Sequence, residues 1–112
     1  MTAPRQKPPT IGVLLTSFQR QQNFREQFLA CLTQTIQPIQ MVVWHNGPDA
    51  FDAQNRALCR QWNTLIIECS NNTGVWPRFA YPLYGMHTEF VCIFDDDTIP
   101  GHWWFENCWD CY

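Results

Sequence analysis

The sequence predicts an α/β fold, an open and mainly parallel sheet with alternating helices. Two observations carry this. Four short apolar runs, "TIGVLLTSF", "IQMVVWHNG", "TLIIECS" and "EFVCIF", are separated by polar-rich segments of helical length. The runs are near-continuous instead of strictly alternating, as in strands covered on both faces, and sheets of that kind are built from parallel strands. Right-handed crossover helices then join one strand to the next.

Taken in order, the Pro-rich opening "MTAPRQKPPT" predicts a mobile segment over residues 1–9, leaving 10–112 as one α/β domain. Residues 10–18 predict the first strand. In "QRQQNFREQFLACLTQTI", Phe24, Phe28, Cys31 and Leu32 recur at helical spacing, and Ile36-Gln37-Pro38 ends the helix. Residues 39–47 predict a second strand closing on an Asn-Gly turn. "DAFDAQNRALCRQW" predicts a helix with Phe51, Leu58 and Trp62 on its buried side. Residues 64–70 predict a third strand and "NNTG" a loop. Residues 75–86 predict a short helix that Pro82 either kinks or holds in its first turn. Residues 89–94 predict the fourth strand, and "PGHWWFENCWDC" opens a last helix.

The 112 residues make one small domain with a single core, and an apolar content of 46% marks a globular chain. A net charge of −3 with scattered Lys and Arg gives no footprint for nucleic acid, so no such partner is expected. No run approaches the roughly 18 apolar residues that span a bilayer. The opening lacks the apolar stretch of a secretory signal, and the expectation is a cytoplasmic protein. Cys31, Cys69 and Cys92 sit in apolar periodic segments, where cysteine behaves as a small hydrophobe, so the six cysteines are expected as free thiols. Cys108 and Cys111 form a lone Cys-x-x-Cys near His102; a zinc site would need four ligands at finger spacing, which are missing.

In an open parallel sheet, ligands gather beyond the carboxyl ends of the strands. That rule brings Thr16, Ser17 and Arg20, then His45, Asn46 and Gly47, then Asn72 and Gly74, then Asp95, Asp96 and Asp97 onto one rim. The last three stand in "FVCIFDDDTIPG", where adjacent like charges call for a counter-ion. If strand geometry persists, Asp95 and Asp97 point to one side and Asp96 to the other. Paired carboxylates are hard oxygen donors suited to Mg²⁺ or Mn²⁺, which keeps waters and accepts phosphate oxygens. Capping of the following helix is the structural alternative, but it needs one such residue and not three.

These motifs resemble the nucleotide-sugar-dependent glycosyltransferases of the GT-A fold, family 2 in particular, over roughly residues 11–109. "TSFQR" resembles that family's first-strand exit, with Gln19 in place of the usual Asn. "VVWHNGPD" resembles its second-strand turn, with His45 where an acid often contacts the base. "NNTGVWPRF" resembles the Asn-x-Gly…Arg segment that lies along the nucleotide, with Arg78 matching the Arg, and "FDDD" resembles the Asp-x-Asp motif. The resemblance implies a donor-binding half, Rossmann-like and truncated at its carboxyl end, that takes a nucleotide sugar (a UDP-sugar first) and transfers it to a glycan or other hydroxyl acceptor.

The chemistry fits. Breaking the anomeric C–O bond leaves a nucleoside diphosphate with new negative charge, which a divalent cation stabilises as a Lewis acid. Asp97 is expected on the metal, Asp95 on the ribose, the metal or its waters, and Asp96 in the donor site. Arg78 offers forked donors to phosphate, against the alternative of a surface cation over Trp76 or Phe79. Thr16, Ser17 and Arg20 would line the nucleoside pocket; a capping role for Ser17 stays open. His45 could bond a base or ribose, or be a satisfied structural histidine. Asn46, Asn72 and Gly74 could touch the donor or simply build turn and loop.

An inverting transferase also needs a carboxylate base near the acceptor hydroxyl, and the family places it well beyond the Asp-x-Asp motif. No catalytic residue is therefore expected in this chain, which reads as the donor-binding half of a longer enzyme or as a truncated open reading frame. Trp103, Trp104, Phe105 and Trp109 are expected to form an uncovered apolar surface. A non-catalytic nucleotide-sugar-binding remnant working with a partner chain is the alternative. A phosphatase with an Asp nucleophile fits worse, because Ile99 stands where that pattern wants Thr or Val and three strands precede the motif.

Overall fold

The computed structural model describes residues 7–111. Most of the Pro-rich stretch predicted to be mobile, residues 1–6, lies outside the described residues, as does residue 112. The elements run β1 (Ile11–Ser17), a 3₁₀ turn (Gln21–Asn23) leading into α1 (Phe24–Leu32), β2 (Gln40–Asn46), α2 (Ala53–Gln61) and β3 (Leu65–Cys69). Two single-turn helices follow, α3 (Pro77–Ala80) and α4 (Pro82–Gly85), then β4 (Phe90–Phe94) and α5 (Trp104–Cys111). The four strands form one sheet in the order β3-β2-β1-β4, every neighbouring pair parallel. This is the α/β architecture that the apolar runs predict.

Strand alternation sorts the core into two layers. Ile11, Val13 and Leu15 of β1, Met41 and Val43 of β2, and Phe94 of β4 pack against Phe24, Phe28 and Cys31 of α1, Leu58 and Cys59 of α2, and Phe105 of α5. Full burial of Phe28 and Phe105 contributes on the order of 1.5–3 kcal/mol each. The opposite face carries Leu14, Val42, Trp44, Ile67, Val91 and Ile93 beneath Tyr81 and Met86. That thinner layer belongs to α3, α4 and the segment after them.

Several boundaries differ from the sequence expectation. The second helix starts at Ala53, because the Asp52 carboxylate accepts from the Gln54 and Asn55 backbone N–H groups at 2.9 and 3.1 Å and caps it. Phe51 is buried, but ahead of the helix. Trp62, expected on the buried side, lies just past the helix end and is 49% exposed. Pro82 sits at the start of α4 and divides the predicted helix in two. The last helix begins at Trp104, after the turn that Pro100 and Gly101 lead into. Phe105 is core, whereas Trp103 and Trp104 are exposed as expected and Trp109 is half-buried. Among the described residues no helix is long and apolar enough to cross a membrane.

Candidate functional site

At the carboxyl ends of β1, β2 and β4 lies a cleft of about 500 Å³. Its walls are Thr16, Ser17, Phe18, Gln19 and Arg20 after β1, Trp44 and Asn46 of β2, Asn72, Gly74, Val75 and Arg78 after β3, and Asp95, Asp96 and Asp97 after β4. Every residue predicted for the donor site lines it except His45. A larger hollow of about 840 Å³ lies toward the amino-terminal ends of β2 and β3, lined by residues such as Leu29, Gln37, Ile39, Trp62 and His102 and holding no carboxylate, lysine or arginine. Of the two hollows, only the smaller has charged walls.

The acidic run is a turn. Strand β4 ends at Phe94, opposite Leu15, and the Thr98 N–H bonds the Asp95 carbonyl at 3.1 Å. Strand alternation therefore does not extend through Asp95–Asp97, and the expectation that Asp95 and Asp97 share a side on that basis falls. Both still line the cleft, each with its own basic partner. The Asp95 carboxylate is ion-paired with Arg78 and accepts the Thr16 hydroxyl at 3.3 Å. Asp97 pairs with Arg20 at 3.1 Å. Asp96 lines the cleft, half-buried. The Arg20 and Asp97 side chains are 58% and 56% exposed, and such a pair contributes about 0–1 kcal/mol, so both groups can be drawn to other partners at little cost.

Arg78 is more deeply set, with its guanidinium 5.1 Å from the Phe79 ring centre as well as on Asp95. The ring contact is the one expected as the alternative, and the guanidinium also turns to a carboxylate of the cleft wall. Its Nε and the Nε1 of Trp44 are buried without an acceptor. Orphaned donors of this kind cost on the order of 1–3 kcal/mol, which suits a cleft whose acceptors come with the ligand.

Asn46 builds the opposite wall. Its amide donates to Asn72 Oδ1 at 2.7 Å and to the Gly74 carbonyl at 3.1 Å, and its Oδ1 accepts the Thr73 N–H and hydroxyl at 2.6 and 2.9 Å. Asn72 in turn accepts the Gly74 N–H at 2.9 Å. Gly74 has φ +82°, where a side chain would be strained. These three residues shape the loop, and the side chains of Asn46 and Asn72 are engaged in doing so. Gly47 is required by contact: a Cβ there would stand 2.0 Å from the Cys69 carbonyl oxygen.

His45 is the predicted residue that the fold withholds. It is 1% exposed and stands opposite Ser17 in the β1–β2 register, on the helix-covered face. A carbonyl can only accept, so Nε2 carries the hydrogen bonded to the Asp49 carbonyl at 2.5 Å, and Nδ1 meets the Ser17 hydroxyl at 3.0 Å. Both ring nitrogens are occupied, and the structural alternative describes it. The Ser17 hydroxyl is buried in the same contact and does not cap a helix.

The residues present fit a divalent cation. Asp95 and Asp97 supply hard oxygen atoms, and Mg²⁺ or Mn²⁺ needs only one or two carboxylates when phosphate and water complete the shell. No cluster of three or more His, Cys, Asp or Glu side chains arranged for a metal occurs among the described residues. The six cysteines are free thiols; burial pushes Cys31 and Cys59 up to about 12 and Cys92 to about 11, so these act as core residues.

Sequence reasoning missed two contributors. Trp44 pairs in register with Thr16 and turns to the cleft side, which alternation from Val42 predicts. Gln27, a buried amide on the apolar stripe of α1, donates to the Asp95 and Thr98 carbonyls. An amide in that stripe was the signal.

No protein-family model and no curated protein matches the chain. Solved structures do. The crystal structure of S. aureus TarS superposes with a TM-score of 0.70 at 15% identity, over 88% of this chain and 18% of that one. Mannosyltransferase PcManGT from Pyrobaculum calidifontis, in complex with GDP-Man and Mn²⁺, superposes with a TM-score of 0.62 at 18% identity, over 81% of this chain and 28% of that one. The fold is GT-A-like, that of glycosyltransferases. The chain spans less than a third of the length of either structure.

Proposed function

We propose that this chain is the donor-binding unit of a family 2-like, inverting glycosyltransferase. It takes a nucleoside-diphosphate sugar, with a UDP-sugar as the first candidate, together with Mn²⁺ or Mg²⁺, and serves transfer to a glycan or other hydroxyl acceptor. The observation that carries this reading is the convergence of the Asp95–Asp97 turn with Arg20 and Arg78 in one cleft at the carboxyl ends of a GT-A-like sheet. A nucleoside diphosphate supplies what the cleft lacks: anionic oxygens for the two guanidinium groups and for the orphaned donors of Trp44 and Arg78. The complex of PcManGT with GDP-Man and Mn²⁺ supports the same ligand class.

Asp97 and Asp95 would hold the cation, which when bound neutralises the charge developing on the leaving diphosphate. Arg78 and Arg20 exchange their carboxylate partners for phosphate oxygens. Thr16 and Asp96 border the same space, and Asn46 with Asn72 holds the loop at Gly74 against it. The acids lining the cleft are the three of this turn, all on the donor side, so the acceptor's base comes from outside these residues. A cytoplasmic site of action belongs to the same proposal, in keeping with thiols at Cys31 and Cys59 in the core. The share of the matched structures that the chain covers favours one second reading, a nucleotide-sugar-binding unit with no transfer of its own.

Isothermal titration with UDP, GDP and dTDP, in Mn²⁺ and in chelator, tests the proposal. The expected result is metal-dependent binding of a nucleoside diphosphate. Equal affinity in chelator and in Mn²⁺ would sink it.

A further inference from the structure

We infer that Gln27 is the positioning residue of the acidic turn, setting divalent-cation affinity through Asp95 and Asp97 without touching the cation; this rests on the donor-site reading above. Beyond Phe94 the turn has lost the sheet's hydrogen-bond ladder. Its own backbone bond, Thr98 N–H to the Asp95 carbonyl, leaves the Thr98 carbonyl unsatisfied and the chain free to pivot. Gln27 Nε2 closes that gap by donating to the Asp95 carbonyl at 2.5 Å and to the Thr98 carbonyl at 2.7 Å. Both amide hydrogens are consumed, one at each end of the turn.

The amide is well chosen. Gln27 is 1% exposed among the aromatic residues Phe24 and Phe28, where an unbonded polar group would be costly. A primary amide donates twice with no charge, so it grips backbone carbonyls and leaves the carboxylate oxygens of Asp95 and Asp97 to face the cleft. A lysine or arginine there would compete for those oxygens.

Gln34 provides the internal control. Seven residues later, in the bend just past the end of α1, it is 3% exposed and makes the same kind of clamp. Its Nε2 donates to the Ala30 and Gly101 carbonyls at 3.0 and 2.5 Å, and its Oε1 accepts the Phe105 N–H at 3.1 Å. Gln34 therefore fixes the start of α5, and Gln27 fixes the acids. The two differ in what they hold and hardly at all in burial.

The test compares Gln27→Leu with Gln34→Leu, which remove one buried amide each at similar volume. Mn²⁺ uptake in the presence of UDP is followed by electron paramagnetic resonance of free Mn²⁺, with unfolding midpoints measured alongside. Both variants are expected to lose stability, but Gln27→Leu alone weakens Mn²⁺ by about 10–100-fold, the usual cost of removing a partner that orients metal ligands, while Gln34→Leu stays within about twofold of the parent. Gln27→Asn, an amide one methylene short, is read in the same way if the leucine variant does not fold. Unchanged Mn²⁺ affinity in the Gln27 variants, or equal weakening in both positions, overturns the inference and leaves the donor-site reading standing. Failure of the parent chain to take up Mn²⁺ with UDP overturns both.

Discussion

The two hollows of this domain differ in a way that size does not predict. The one near the amino-terminal ends of β2 and β3 is larger, about 840 Å³, yet its walls are apolar side chains, neutral amides and Thr33 together with His102. The cleft at the carboxyl ends is about 500 Å³ and gathers three carboxylates and two guanidinium groups. Strand direction accounts for the difference. All four strands are parallel, so every loop after a strand falls on one rim, and segments far apart in sequence converge there. At the other end the loops enter strands, and what they enclose is a gap between packed elements.

The largest expected effect tests whether the cleft is sufficient. In a labelled-donor assay, the purified 112-residue chain should transfer no sugar to an acceptor at an enzymatic rate. Acceptor positioning accounts for as much as about 7–11 kcal/mol of barrier in the best-oriented systems. Transfer without a general base would lose a further factor of about 10²–10⁴. Slow donor hydrolysis can persist, since water needs little positioning. Robust, Asp97-dependent transfer would show that a base stands within these residues and that the cleft does more than hold the donor.

Next comes a direct contrast of the hollows. Asp97→Ala should abolish the Mn²⁺ dependence of nucleoside-diphosphate binding with little change in stability, because the side chain is 56% exposed and its pair with Arg20 contributes little. Trp62→Ala, in the larger hollow, should leave binding in Mn²⁺ and in chelator unchanged. If Trp62→Ala weakens nucleotide binding and Asp97→Ala does not, the site has been assigned to the wrong end of the sheet.

His45 marks where sequence reading stopped. The order of elements and the parallel sheet were legible because each strand carries an apolar run and α1 a stripe at 3.6-residue spacing. The rim was legible because strand ends can be located before their contacts are known. Which side chains at that rim face the cleft was less so. Met41 and Val43 share a face with His45, and Val42 and Trp44 share the other, so alternation through β2 already assigns His45 to the helix-covered side. The motif resemblance instead sets His45 at a position where an acid often contacts the base. The same alternation failed after Phe94, where the chain turns and local hydrogen bonding to Gln27 and Thr98 takes over. No periodicity in the sequence encodes that change. His45→Leu should cost about 1–3 kcal/mol of stability, by leaving the Asp49 carbonyl without its donor, and should not change nucleotide affinity. A lost affinity at unchanged stability would return His45 to the site.

The smallest effect calibrates the ion pair on which the cleft's adaptability rests. Arg56 and Glu68 form another ion pair near the surface, on α2 and β3, lining neither hollow. The hydrogen bond from Arg56 is the main cause that holds the Glu68 carboxyl below its ordinary value of 4.5. A carboxylate depressed in the folded state contributes stability that is present above the unfolded value and is lost as pH falls through the folded one, so the loss belongs below pH 4.5. Solvent screening at a side chain 40% exposed keeps the contribution under about 1 kcal/mol. Urea midpoints for the parent and for Arg56→Gln should converge as pH falls below that point and separate slightly above it. A large separation would mean that exposed pairs on this domain are strong. Arg20 would then resist leaving Asp97, and the cation would have to win the carboxylate against a real competitor instead of replacing a weak one.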